Sequence, residues 1–140
     1  MAGKEFELTA AAKVLLDGVA AVGTRLIVVG GAASLVVPGT QGRMVLDDPR
    51  YFHPAAKPIA LACNEQLAAC VDSAGADWTY VSPAANFAPG RRTGAYRLGT
   101  DELVVDAHGE SRISMEDLAV ALIDEAERPR HRRKRFTVAY

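Results

Sequence analysis

The sequence has two cysteines, one tryptophan and no excess of either charge, and each shortage excludes something. A formal net charge of -1 gives no chain-wide field to draw in nucleic acid or an anionic membrane, so neither is expected as a partner. Lys13 and Asp17 interrupt the longest apolar stretch. It therefore falls short of the roughly 18 apolar residues that span a bilayer. The first residues lack the charged-then-apolar order of a signal peptide, and a cytoplasmic location is expected. Cys63 and Cys70 fall on a segment with helical spacing, which sets them two turns or about 10 Å apart. That is too far for a disulfide, and two buried thiols make a poor zinc site. His53, His108 and His131 show no metal-binding spacing.

What is present is a sequence of 140 residues, 49% of them hydrophobic, enough for one core and a single domain over 1–140. Leu8, Ala11, Ala12, Leu15, Val19 and Val22 recur at three- and four-residue spacing, and Gly23 follows where a left-handed cap would sit. This predicts an amphipathic helix over 7–22. Leu26 to Val29 are apolar at every position, as in a strand covered on both faces, and Gly30-Gly31 ends it. Residues 32–56 hold Pro38, Gly39, Gly42, Pro49 and Pro54 and read as a long loop. A helix is expected from Pro58 towards Gly75, then a strand over 78–81 stopped by Pro83. Residues 95–98, 103–106 and 111–113 read as short strands, the last two joined by a turn at Ala107-His108-Gly109. Ser114 is an N-cap with an acid three residues on, opening a helix that Pro129 ends, and 136–140 form a last strand.

Five segments in this order carry a resemblance. They are Val29-Gly30-Gly31-Ala32-Ala33-Ser34-Leu35, Asp77-Trp78-Thr79-Tyr80-Val81-Ser82-Pro83-Ala84, Tyr96-Arg97-Leu98-Gly99-Thr100, the stretch from Ser111 to Leu122, and Arg135-Phe136-Thr137-Val138. The chain resembles the second half of the atypical short-chain dehydrogenase/reductases, in their epimerase/dehydratase and flavin-reductase-like branch. The resemblance implies a partial Rossmann-like, three-layer α/β/α domain with a mainly parallel sheet and a small β excursion. It also implies an NAD(P)H-binding oxidoreductase or epimerase-like function. The family opens with a glycine-rich turn whose backbone approaches the pyrophosphate at a helix N-terminus, and no such run lies in these 140 residues. The register places the first residues at the helix before the family's fifth strand. A truncated domain unable to bind dinucleotide alone is therefore expected, with NAD(P)H as cofactor by resemblance only.

By the same resemblance, the catalytic candidates are Ser34, which would hydrogen-bond a substrate's reacting oxygen, and Lys57. The cofactor-binding candidates are Gly30, Gly31, Ser82, Pro83 and Ala84, at the carboxyl ends of strands where parallel sheets bind ligands. No metal site is expected. The Tyr-x-x-x-Lys pair, in which lysine lowers a phenol's pKa, is not reproduced. Tyr51 lies six residues before Lys57, and His53, four before it, reads as an exposed loop residue. Residues 128–135 hold five arginines, a lysine and a histidine, without the interleaved aromatics that stack bases. Without strands one to four, the strand over 26–29 becomes an edge open to pairing. A homo-oligomer or a complementing polypeptide is the expected partner, beside a small-molecule substrate. The alternative function is a non-catalytic remnant or interaction module that self-associates through this edge, and the residues leave catalysis open.

Overall fold

The structure is a computed structural model that describes residues 3–140. Helix α1 (Phe6–Val22) ends at Gly23, whose φ of 71° is the left-handed conformation that glycine adopts without strain. Strand β1 (Arg25–Val29) follows, then helix α2 (Lys57–Asp72) and strand β2 (Asp77–Ser82). After two short strands, β3 (Asn86–Ala88) and β4 (Arg97–Gly99), come β5 (Arg112–Ser114), helix α3 (Met115–Glu127) and β6 (Lys134–Ala139).

The main sheet has the order β1-β2-β6-β4. The first three strands run parallel, in register Val29↔Val81 and Val81↔Phe136, and β4 closes the far side antiparallel to β6. Alternate residues of one strand serve opposite faces. Trp78 and Tyr80 pack with Leu16 of α1 and Cys70 of α2, while Val81 packs with Phe136 and Val138 against Leu118 and Ala121 of α3. Helices on both faces of a mainly parallel sheet make the α/β architecture expected from the sequence.

Several local readings need correction. Residues 103–106 form no strand and no hairpin with 111–113. Leu103 is instead buried with Leu35, Val37 and Val45, and its N–H donates to the Val36 carbonyl at 2.8 Å. Only the turn forms, with the Asp106 carboxylate accepting from the N–H groups of His108 and Glu110. β5 pairs with β3, a strand the sequence did not signal, and does so in parallel. α2 begins at Lys57, one residue before Pro58, and stops at Ser73 instead of running to Gly75.

The 32–56 segment is a loop with a core of its own. Its apolar side chains meet Leu103, and buried Asp48 accepts from Arg50 Nε at 3.0 Å and Nη2 at 2.7 Å. These contacts hold a long connection in one conformation whose only regular pieces are the single 3-10 turns at Val45–Asp47 and Pro54–Ala56.

Candidate functional site

Because β1 and β2 are parallel neighbours, their carboxyl ends meet. Gly30 N–H donates to the Val81 carbonyl at 2.9 Å, which brings Gly30 and Gly31 beside Ser82, Pro83 and Ala84. All of Ser82 to Ala84 is buried. The Ser82 hydroxyl has no hydrogen-bond partner among the described residues, and neither has that of Thr137, its register partner on β6.

Glycine at position 30 has a local cause. A methyl group there would overlap the hydroxyl end of Tyr80, and at Gly31 it would press on Cys63 at 3.2 Å. The Tyr80 hydroxyl donates to the Cys63 carbonyl at 2.9 Å and accepts from Gly31 N–H at 3.2 Å. Burial pushes its pKa well above the ordinary phenol value, so the phenol stays protonated. The close approach that these glycines permit is therefore to Tyr80 and Cys63.

Ser34 is held from the third strand. Arg135 Nη1 donates to its hydroxyl oxygen at 2.6 Å, and the same guanidinium grips Asp101 through Nη2 at 3.0 Å and Nε at 3.1 Å. With one lone pair engaged, the Ser34 hydroxyl keeps its proton to give to another acceptor. Lys57 sits exposed on the first residue of α2 and makes no hydrogen bond to Ser34 or Ser82 among the described residues. His53 is exposed, and its ring accepts from Ala55 N–H at 3.2 Å as the cap of a short turn.

Beyond the end of β2 lies a cleft of about 440 Å³ lined by Arg50, Tyr51, Asn86, His108, Glu110 and Ser111. Tyr51 closes one wall by donating to the Gly109 carbonyl at 2.6 Å, and the Arg50 guanidinium lies 5.2 Å from the centre of its ring. The sequence reading treated Tyr51 and His108 separately, and only the fold brings them together. Arg135 was also missed as a site residue. Its signal is a charge in a strand whose alternate positions, Phe136 and Val138, are buried, because a guanidinium there needs a partner.

The basic stretch is largely engaged inside the molecule. Arg133 donates to the carbonyls of Ser73 at 2.7 Å and Ala76 at 2.8 Å, Arg132 pairs with Asp77, and His131 contacts Glu125 at 2.8 Å. Cys63 and Cys70 are free thiols, and burial pushes Cys70 up to about 11. No helix of the described residues is long and apolar enough to cross a membrane. Among them no group of three or more His, Cys, Asp or Glu is placed to hold a metal.

The dinucleotide implied by the resemblance has two ends to be held. At the carboxyl end of the sheet the Ser82 hydroxyl is buried and unpartnered, with Pro83 and Ala84 buried after it. A pyrophosphate needs open backbone N–H groups at a helix N-terminus, but the double glycine is covered by Tyr80 and Cys63. The double glycine therefore offers no open cradle for a pyrophosphate.

No family model matches the chain. Uncharacterized protein YwnB of Bacillus subtilis (strain 168) is 44% identical over 116 residues, covering 82% of this chain and 54% of that protein. The solved structure of a candidate exported protein from Burkholderia pseudomallei aligns with a TM-score of 0.88 at 41% identity, over 97% of this chain and 65% of that one. A candidate NADH-flavin reductase from Streptococcus pneumoniae TIGR4 aligns with the same TM-score, 0.88, at 32% identity over 97% of this chain and 65% of its own. A short-chain dehydrogenase/reductase from Veillonella parvula DSM 2008, solved with NADP, shares the fold at a TM-score of 0.70 and 14% identity, over 94% of this chain and 58% of its own. The chain thus spans between about half and two thirds of the length of the proteins it matches. Over nearly its whole length it has the Rossmann-like α/β fold found in NAD(P)-binding reductases and dehydrogenases.

Proposed function

We propose that residues 1–140 act as a single unit of the atypical short-chain dehydrogenase/reductase family, forming the nicotinamide- and substrate-facing part of an NAD(P)H-dependent reductase or epimerase-like site. The observation that carries this reading is the convergence of the β1 and β2 carboxyl ends through the Gly30 to Val81 hydrogen bond. It supports a reading in which Gly30 and Gly31 meet Ser82, Pro83 and Ala84 where an open parallel sheet presents ligands, with Ser34 following on the same loop. The likeness to a candidate NADH-flavin reductase and to a dehydrogenase solved with NADP supports it. In this proposal Ser34, braced by Arg135, donates a hydrogen bond to the substrate oxygen, and the Ser82 to Ala84 backbone lies along the ring. NAD(P)H, when bound, would supply the hydride. Lys57 contributes charge at the rim, and the groups that grip the pyrophosphate come from outside these residues. Two free thiols suit a reducing compartment, and the proposal places the protein in the cytoplasm.

Calorimetric titration with reduced nicotinamide mononucleotide and, separately, with NADPH tests the division of labour. Both should bind in the millimolar range with dissociation constants within about threefold of each other, a difference below about 1 kcal/mol. NADPH binding on the order of 100-fold tighter than the mononucleotide would place a pyrophosphate grip within the chain. Absence of binding by both at about 10 mM would remove the nicotinamide reading.

A further inference from the structure

The facing of β4 and β6 continues past the last residue of β4. Their antiparallel register runs Arg97↔Ala139, Leu98↔Val138 and Gly99↔Thr137, so two residues further on it sets Asp101 opposite Arg135. Residues directly opposite each other share a face of the sheet, and these two side chains meet. Asp101 Oδ1 accepts from Arg135 Nε at 3.1 Å and from Nη2 at 3.0 Å. The partners are unequal, since the Arg135 side chain is 10% exposed and that of Asp101 is 75% exposed. A guanidinium so nearly buried needs a counter-charge, and among the described residues Asp101 is the carboxylate paired with it.

The same guanidinium also reaches the loop after β1. Its Nη1 donates to Ser34 Oγ at 2.6 Å, and its Nη2 lies 3.4 Å from the Ser34 carbonyl oxygen. The backbone around Asp101 grips that loop independently. Val36 N–H donates to the Asp101 carbonyl at 2.9 Å, Leu103 N–H donates to the Val36 carbonyl at 2.8 Å, and the Leu103 side chain is buried against Leu35 and Val37. The Asp101 carboxylate is therefore not what ties the two segments together. What it fixes is the direction of the Arg135 guanidinium.

We propose that Asp101 is a positioning residue for Ser34, acting through Arg135, and that it makes Ser34 a place for a neutral oxygen. Held by two hydrogen bonds to one carboxylate, the guanidinium keeps Nη1 on the Ser34 oxygen, and the hydroxyl proton turns away from Arg135. A hydroxyl that accepts from a cation is also a stronger donor, because hydrogen bonds in a chain polarise one another. The Asp101 charge offsets that of Arg135, so a carbonyl or hydroxyl oxygen is received at Ser34 and a carboxylate is not. This role rests on Ser34 being the donor to the substrate oxygen, as proposed above.

The Ser34 side-chain torsion, read from three-bond couplings in ¹³C,¹⁵N-labelled protein, tests the clamp without a substrate. One staggered rotamer is expected in the parent protein and in Asp101→Asn, which keeps an acceptor oxygen. Asp101→Ala should average among rotamers while the amide shifts of β1 and α3 stay in place. Formate at about 100 mM, a concentration suited to a single exposed ion pair, should return Asp101→Ala to one rotamer with saturable shifts at Ser34 and Arg135. Sodium chloride at the same concentration should not, and the parent protein should show no saturable Ser34 shift with formate. A single rotamer in Asp101→Ala without formate would overturn the proposal. So would averaging that formate fails to reverse, or formate binding at Ser34 as tightly in the parent protein as in the variant. If the torsions behave as expected but Ser34 is unmoved by reduced nicotinamide mononucleotide, the substrate-side reading of Ser34 fails and the clamp stands.

Discussion

At the scale of single residues, a small number of polar and small side chains decide where the backbone ends of the strands lie. Tyr80 is the example with the widest reach. Its ring fills the space above Gly30, and its hydroxyl ties the Gly31 N–H at the end of β1 to the Cys63 carbonyl in α2. Glycine at position 30 is thus set by a close approach of side chain to backbone, not by a left-handed φ. Gly30→Ala should destabilise the fold by about 2 kcal/mol or more, as overpacking of a dense interior does, visible as a lower midpoint in urea unfolding. An unchanged midpoint would mean that Tyr80 moves aside freely. The double glycine was legible in the sequence as the end of a strand, and its partner was not. Position 80 reads as one more residue of an apolar strand, and only the register against β1 brings its ring over the glycine.

At the scale of elements, α3 is fixed at both ends by carboxylates. At its start the Ser114 hydroxyl caps the helix by accepting from Asp117 N–H at 3.0 Å, as the sequence indicated. Asp117 itself does not reach back to the cap. It accepts from Thr93 N–H at 2.9 Å, Thr93 Oγ1 at 2.7 Å, Gly94 N–H at 2.8 Å and the Tyr140 hydroxyl at 2.5 Å, and so ties the connection before β4 and the last residue to the helix. Those hydrogen bonds, that of the Thr93 hydroxyl first, hold its carboxyl far below the usual range. At the other end buried Glu125 accepts from Arg25 Nη2 at 2.6 Å and from His131 N–H at 2.9 Å, joining α3 to the start of β1 and the turn into β6. Burial alone would raise its pKa. The hydrogen bonds from His131, Arg25 and Arg130 outweigh that and bring it down to about 2.

A carboxylate depressed in the folded state stabilises it above the unfolded pKa and loses that contribution as pH falls towards the folded one. Stability should therefore decline between about pH 4.5 and pH 2, with Asp48, also lowered to about 2 by Arg50, adding to the same window. Glu125→Gln should be less stable than the parent protein at pH 7, and the gap should narrow by pH 3 in thermal unfolding followed by circular dichroism. A gap that stays constant with pH would remove the ionic account. Helices and buried strands were legible because periodicity and capping are local. The β3–β5 pairing was not, since Asn86–Ala88 is a short and largely exposed strand whose partner lies across the intervening β4 region.

At the scale of the whole molecule, three parallel strands deliver loops to one end of the sheet, and the network of Ser34, Arg135 and Asp101 ties the first of those loops to the third strand. The family-like segments at 29–35, 77–84 and 135–138 were visible in the sequence because each is a strand with its flanking turn. The cleft of Arg50, Tyr51 and His108 was not, because its residues come from two loops that meet only after the 32–56 segment has folded on its own core. The most direct measurement of the central proposal is amide chemical-shift mapping of the ¹⁵N-labelled protein with reduced nicotinamide mononucleotide. Perturbations should gather at Gly30, Gly31, Ser34, Ser82 and Ala84, and leave the amino ends of the strands around Arg25, Asp77 and Lys134 unmoved. Saturable shifts centred on those amino ends, with the residues from Gly30 to Ser34 and from Ser82 to Ala84 silent, would contradict it.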